Sequence, residues 1–357
     1  MFQILTEGCV FIEEKGSYSY GIPRTVVLPG GEILCCFHRT SGGGVNDLTP
    51  LFSYSSDNGI TWSDPIVAYP ELEGKKSIVI TPRNTPDGRI SFAGKWWDIN
   101  EPGELWWSEE VGGMKENSAC WCISEDGRKL PPLQDLPLPV YCGAEQPSGL
   151  LVRRDGVYMY LHSCCPTIEA REPVVTNQMV LLTSDDEGES FSATTIGKHD
   201  YPGVHAEAWI VELPDDRLMA CSWITDGPDV LLLSDDKGKT FSPLIEMPFG
   251  GQTMSLTPLP DGRVLVPYNY RVAGENLGVR LAVVKPAVDS VEVLYDAQAW
   301  KADTSTSDGR SADFENFTSY AFGEPQISIM PDGTLLLVIW VDQPDGKGVR
   351  YVRISLD

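Results

Sequence analysis

Short apolar runs separated by polar turns repeat from one end of the chain to the other. TVVL precedes LCCF, SGLLV precedes VYMYLH, WIVEL precedes LMACSW, SLTPL precedes VLVPYNY, and ISIM precedes LLLVIW. Between the members of each pair lies one kind of turn. Its copies are LPGGEIL at 28–34, TPDGRI at 85–90, RRDGVY at 153–158, LPDDRLM at 213–219, LPDGRVL at 259–265 and MPDGTLL at 330–336. Pro presets φ, Asp bonds its own backbone and Gly accepts positive φ, so each copy predicts a tight hairpin.

A second turn recurs later in the unit. SSDNGITW at 55–62, SDDEGESF at 184–191 and SDDKGKTF at 234–241 follow the runs LFSY, MVLL and DVLLL, and a degenerate copy, ISEDGRKL, stands at 123–130. Asp and Ser satisfy backbone groups, Gly takes a left-handed position, and the closing Trp or Phe packs between sheets. A structural part is therefore expected of Asp57, Asp186 and Asp236. Hairpin, third strand, second turn and fourth strand make an antiparallel unit repeated at about 45–70 residues, the range of propeller blades. Six hairpins predict an all-β, six-bladed propeller in one domain, with blades near 20–72, 75–140, 144–202, 205–248, 251–298 and 320–357. The sixth unit runs out of chain before its fourth strand. Residues 1–14 are expected to supply it, closing the ring and hiding an edge. An open β-sandwich leaves six matching hairpins without a reason, and no linker divides the chain.

Composition narrows the partners. The net charge of −24 disfavours nucleic acid and anionic membrane, whose phosphates need clustered Lys and Arg. No apolar stretch approaches the roughly 18 residues of a membrane span. The opening MFQILTEGCVFIEEKG shows no basic segment followed by a long apolar run, so a cytoplasmic location is expected. Nine cysteines lack the paired spacing of a zinc site and are read as free thiols. No metal and no cofactor is expected; nucleotide-binding and serine-hydrolase motifs are missing. Calcium in the channel or acidic loops stays open, without a recognisable ligand loop.

In a propeller the first strand of each blade lines the channel, and its starting end lies opposite the second turn. The residues there are Tyr20 and Gly21 with Arg24, Lys76 and Ser77 with Arg83, Glu145 and Gln146, His205 and Glu207, Gln252 and Thr253, and Glu324 and Gln326. Polar residues ahead of apolar strands converge on one mouth. Crowded carboxylates push each other's pKa values apart, which suits general acid and base work on glycosides. Aromatic pairs in FAGKWWDINEPGELWW, with Trp96 and Trp97 foremost, offer faces on which sugar rings stack. His38, Arg39, His162 and Arg271 end second strands at the same height. The polar stretch from 296 to 320 links blades 5 and 6 and delivers Tyr320 to the rim.

The turn S-x-D-x-G-x-T/S-W/F, together with YGIPRTVVLPGGEIL at 20–34, resembles the Asp box and first-blade opening of the sialidase superfamily. The resemblance covers nearly the whole chain and implies its six-bladed fold. It does not carry over the arginine triad that grips a substrate carboxylate. The first family arginine falls at Gly21 and the second at Trp223, while the place of the nucleophilic tyrosine falls at Glu324. Asp47, in HRTSGGGVNDLTP, occupies the loop of the family's acid/base aspartate, and the SGGG run would let that loop close over a ligand. Glu207 matches the glutamate that polarises the tyrosine. The exo-arabinanases, similar propellers, use two glutamates from neighbouring blades, and Glu145 and Glu207 sit at comparable positions.

Three readings follow. The first is an exo-acting glycoside hydrolase for a small oligosaccharide, with Glu207 and Glu145 as acid/base and nucleophile in either order and Glu324 or Asp47 as alternates. Arg24, Lys76, Arg83, Trp96, Trp97, His205, Gln252, Arg271 and Tyr320 would bind substrate. The second is a lyase or hydrolase for uronic or deoxy-sugar termini, with Arg24, Lys76, Arg83 and Arg271 neutralising a carboxylate. The third is a glycan-binding or scaffolding propeller without turnover. Sugar, linkage and oligomeric state are not encoded in any motif.

Overall fold

The computed structural model describes residues 1–108, 110–136, 138, 148–169, 174–271, 276–303 and 320–356, and the backbone of 143–145. These residues form six antiparallel blades. Blade 1 is Ser19–Val27, Ile33–Thr40, Thr49–Ser55 and Ile66–Val67; blade 2 is Lys76–Asn84, Ile90–Asp98, Ser118–Ser124 and Gln134–Leu136. The inner strand of blade 3 comes in two pieces, Gly143–Glu145 and Leu151–Val152, both paired with Tyr158–Cys165, which is followed by Met179–Ser184 and Ser192–Ile196. Blade 4 is His205–Glu212, Leu218–Ile224, Asp229–Ser234 and Ile245–Glu246; blade 5 is Thr257–Pro258, Val264–Tyr270, Gly278–Pro286 and Val291–Lys301. Blade 6 is Phe322–Ile329, Leu335–Gln343 and Gly346–Leu356, completed by Phe2–Glu13. The N-terminal strand pairs from Phe2 opposite Leu356 to Glu13 opposite Lys347, so the ring closes as its unmatched ends require.

The six hairpins share one geometry. The first residue of each donates its amide to the carbonyl four residues on, as from Leu28 to Glu32, Thr85 to Arg89, Arg153 to Val157, Leu213 to Arg217, Leu259 to Arg263 and Met330 to Thr334. The fourth position has positive φ and is Gly31, Gly88, Gly156, Gly262 or Gly333, with Asp216 replacing glycine in blade 4. Asp57 shows how the second turn works. Its carboxylate accepts from the Ser55 hydroxyl at 2.8 Å, the Thr61 amide at 2.8 Å and the Thr61 hydroxyl at 2.6 Å.

The core is a set of six seams between neighbouring blades rather than one centre. The aromatic residues that close the second turns belong to these seams. Trp62 of blade 1 packs toward blade 6, Phe191 of blade 3 toward blade 2, and Phe241 of blade 4 toward blade 3. Each turn therefore joins its blade to the one before. The eight described cysteines are free, and only Cys9 is exposed; Cys142 lies outside the described residues.

Candidate functional site

Antiparallel order places both kinds of turn at one end of the ring, and the starts of inner strands and ends of second strands at the other. A cavity of about 430 Å³ opens at that second end. Its lining follows a fixed count. Nine residues before the positive-φ residue of a hairpin stand Ile22, Val79, Glu207, Thr253 and Glu324, and all five line the cavity. Seven and nine residues after it come Lys95 and Trp97, Trp223, Asn269 and Arg271, and Trp340 and Asp342, which also line it.

Three inner strands carry the same distortion. Pairing slips between Gly21 and Arg24, between Ala206 and Trp209, and between Gly323 and Gln326. Within each slip the residue at the counted position is left-handed: Ile22 at φ 54°, Glu207 at 50° and Glu324 at 50°. A bulge re-aims its side chain, and a left-handed non-glycine costs on the order of 1–3 kcal/mol, so it persists where packing enforces it. Two of the three strained positions hold carboxylates facing one cavity.

Each carboxylate is held from behind. Glu207 Oε2 accepts from Trp223 Nε1 at 2.6 Å and from the Thr253 hydroxyl. Glu324 Oε2 accepts from the Ile22 amide at 2.7 Å, and its Oε1 lies 4.0 Å from the Arg24 guanidinium. Arg24 is buried, packs 5.3 Å from the Trp209 ring, and donates to the carbonyls of Pro23 at 2.8 Å and Glu324 at 3.1 Å. Arg271 stands in blade 5, between the blades of the two glutamates. It donates to the Gln252 carbonyl at 2.9 Å and to the Phe322 carbonyl, and lies 4.3 Å from the Tyr320 ring. Burial lowers its pKa to about 10, while Tyr320, Glu207 and Glu324 oppose that shift, so it remains a cation at neutral pH.

The opposite wall is aromatic. Trp97 is buried, donates to the Lys115 carbonyl at 3.1 Å, and faces Trp106 at 6.4 Å. Trp106 comes from the segment between the second and third strands of blade 2. That segment is locked to the SGGG loop of blade 1 by a Val45–Leu105 bridge, an Asn46 amide to Glu104 carbonyl bond of 2.8 Å, and a Trp106 amide to Gly44 carbonyl bond of 3.0 Å. The loop expected to close over a ligand is instead anchored as part of the wall.

The other candidates are dispersed. Asp47 accepts from the Thr40 hydroxyl at 2.6 Å and the Ser41 amide at 3.1 Å, bracing its own loop. Lys76 pairs with Asp98 at 2.8 Å and lies 4.9 Å from the ring of Trp96, whose indole donates to Asp135 at 3.0 Å; neither Lys76 nor Trp96 lines the cavity. Arg83 lies at the other mouth of the channel, donating to the carbonyls of Ser148 at 3.1 Å and Ile210 at 2.8 Å. His205 donates from Nε2 to the Gly197 carbonyl at 2.6 Å and accepts the Ser222 hydroxyl at Nδ1, also at 2.6 Å. Burial lowers its pKa to about 4, so it is a neutral structural histidine. Gln252 and Tyr320 do line the cavity. The backbone at Glu145 pairs opposite Ser163, eleven residues before Gly156 rather than nine. Gln146 and 304–319 lie outside the described residues, as does the Glu145 side chain. Lys95, Asn269 and Trp340 escaped the sequence reading, although counting seven residues past each hairpin glycine finds all three.

Ring, hairpins and mouth together define a six-bladed propeller of the sialidase fold. A protein of unknown function from Dyadobacter fermentans matches with a TM-score of 0.76 over 100% of this chain and 99% of its own, at 18% identity. The NanB sialidase from Streptococcus pneumoniae matches at 0.64 and 14% identity, over 98% of this chain and 70% of its own. The intramolecular trans-sialidase from Ruminococcus gnavus matches at 0.65 and 13% identity, over 98% and 97%. No protein-family model matches the sequence, and no curated protein does. At these identities the likeness is one of fold.

Proposed function

We propose that this propeller is an exo-acting glycoside hydrolase that uses Glu207 and Glu324 as its paired carboxylates. The carrying observation is that both occupy the same strained, left-handed register in blades 4 and 6 and face one open cavity. The side chain of Glu145, the partner expected for Glu207 from sequence, lies outside the described residues, and the pair proposed here is drawn from the described carboxylates of the cavity. Glu324, which accepts from the Ile22 amide and lies 4.0 Å from the Arg24 guanidinium, suits the nucleophile or base. Glu207, on two neutral donors, suits the proton-transferring acid. Trp106, half-buried in the cavity wall and backed by the buried Trp97, gives the sugar an apolar face to stack on. A sialidase and a trans-sialidase share the fold, which is consistent with a glycan ligand in a cavity of this size.

Glu207→Gln tests the reading. It keeps an acceptor for Trp223 and Thr253 but cannot donate and recover a proton. On a panel of terminally linked aryl glycosides, turnover is expected to fall by about 10²-fold or more while folding is kept. Undiminished turnover by the folded variant rejects the assignment. Elimination at a uronate terminus is the second reading, favoured by the contact between Arg271 and Tyr320. It predicts a new ultraviolet absorbance from an unsaturated product, which hydrolysis does not produce.

A further inference from the structure

The cavity is divided by charge. Arg271 in blade 5 is flanked by Glu207 and Glu324 from blades 4 and 6, and its described bonds go to backbone carbonyls and the Gln252 side chain. A substrate anion placed there would meet two carboxylates. In a six-membered ring blade 2 lies across from blade 5, and blade 2 presents Lys95. Its Nζ lies 5.1 Å from the Trp97 ring centroid, and among the described residues it has neither an ion pair nor a hydrogen bond. Lys347, the third cation of the lining, is already paired with Asp342 at 3.1 Å. Lys95 is thus an uncommitted cation inside a cavity of a protein whose net charge is −24.

We infer that Lys95 reads an anionic substituent of the glycan, a carboxylate, sulfate or phosphate carried on the ring that stacks against Trp106. This deepens the reading of the cavity as a glycan site and rests on it. The physical reasons are complementary. A half-buried ammonium is screened less than a surface one, so a single anion gains more from it. Trp106, backed by Trp97, holds the sugar's apolar side and leaves the substituent free to reach Nζ. The like-charge wall of Glu207 and Glu324 rejects the reversed pose, in which the anion would sit at the reacting end.

Binding, not turnover, provides the test. Glucuronic acid against glucose, galacturonic acid against galactose, and galactose 6-sulfate against galactose are titrated calorimetrically into the wild type, Lys95→Met and Lys95→Arg. The expectation is a preference of roughly tenfold for at least one anionic member, weakening as salt rises. Lys95→Met should abolish that preference, while Lys95→Arg should keep it. Which pair shows it separates carboxylate from sulfate. Equal binding within every pair, a preference that survives in Lys95→Met, or no binding of any probe up to about 10 mM overturns the inference. A preference in a protein that turns over no glycoside would reject hydrolysis and leave Lys95 as the anion reader.

Discussion

Asp229→Asn probes the support behind Glu207. Asp229 begins the third strand of blade 4, is paired across the ladder with Trp223, and is 7% exposed. Its Oδ2 accepts the Gly251 amide at 2.7 Å, next to the Gln252–Thr253 segment that reaches Glu207. The carboxyl therefore backs both donors to Glu207. Burial pushes its pKa from 3.8 up to about 7; the Gly251 amide opposes the shift and the negative charge of Glu207 adds to it. Between about pH 4 and 7 the folded state holds a proton that the unfolded chain has released. Stability is thus full below the unfolded pKa and is lost as pH rises through the folded one. At about 1.4 kcal/mol per pH unit, the interval from 3.8 to about 7 sets a ceiling near 4 kcal/mol. Asparagine keeps the acceptor for Gly251 and does not titrate. Urea unfolding from pH 4 to 8 should show the two proteins coinciding near pH 4, the variant gaining on the wild type until about pH 7, and a constant gap above. Parallel curves, or a variant less stable at pH 8, would refute the account.

Two further outcomes follow from the same geometry. Trp223→Phe removes one of the two donors to Glu207 while keeping an aromatic wall, and should lower kcat by about tenfold with a smaller change in KM, measured on the best glycoside of the panel. Gly94→Ala would place a methyl 2.0 Å from the Val79 carbonyl, forcing the inner ladder of blade 2 apart; a loss of about 3 kcal/mol or more is expected in thermal or urea unfolding.

Much of this architecture is local chemistry and so was legible in the chain. A tight hairpin of this kind folds the same way wherever it stands, and six copies, three of them Pro-Asp-Gly, at blade spacing with unmatched ends point to a closed six-bladed ring. The aspartate of the second turn is satisfied just as locally, since Asp57 accepts from Ser55, Ile60 and Thr61 of its own turn. The site is different because it depends on where regular alternation fails. His205 and Glu207 are two apart, and on an undistorted strand they would share a face. The slip between Ala206 and Trp209 separates them, sending His205 into the blade beside His199 and Glu207 into the cavity. Nothing in the strand's own sequence announces that slip. It is held by contacts from elsewhere, with Trp223 and Thr253 anchoring Glu207 and Ile22 anchoring Glu324 across the closure of the ring. Turn chemistry within a few residues determined the propeller, and only the meeting of blades decided which polar residues face one another across its mouth.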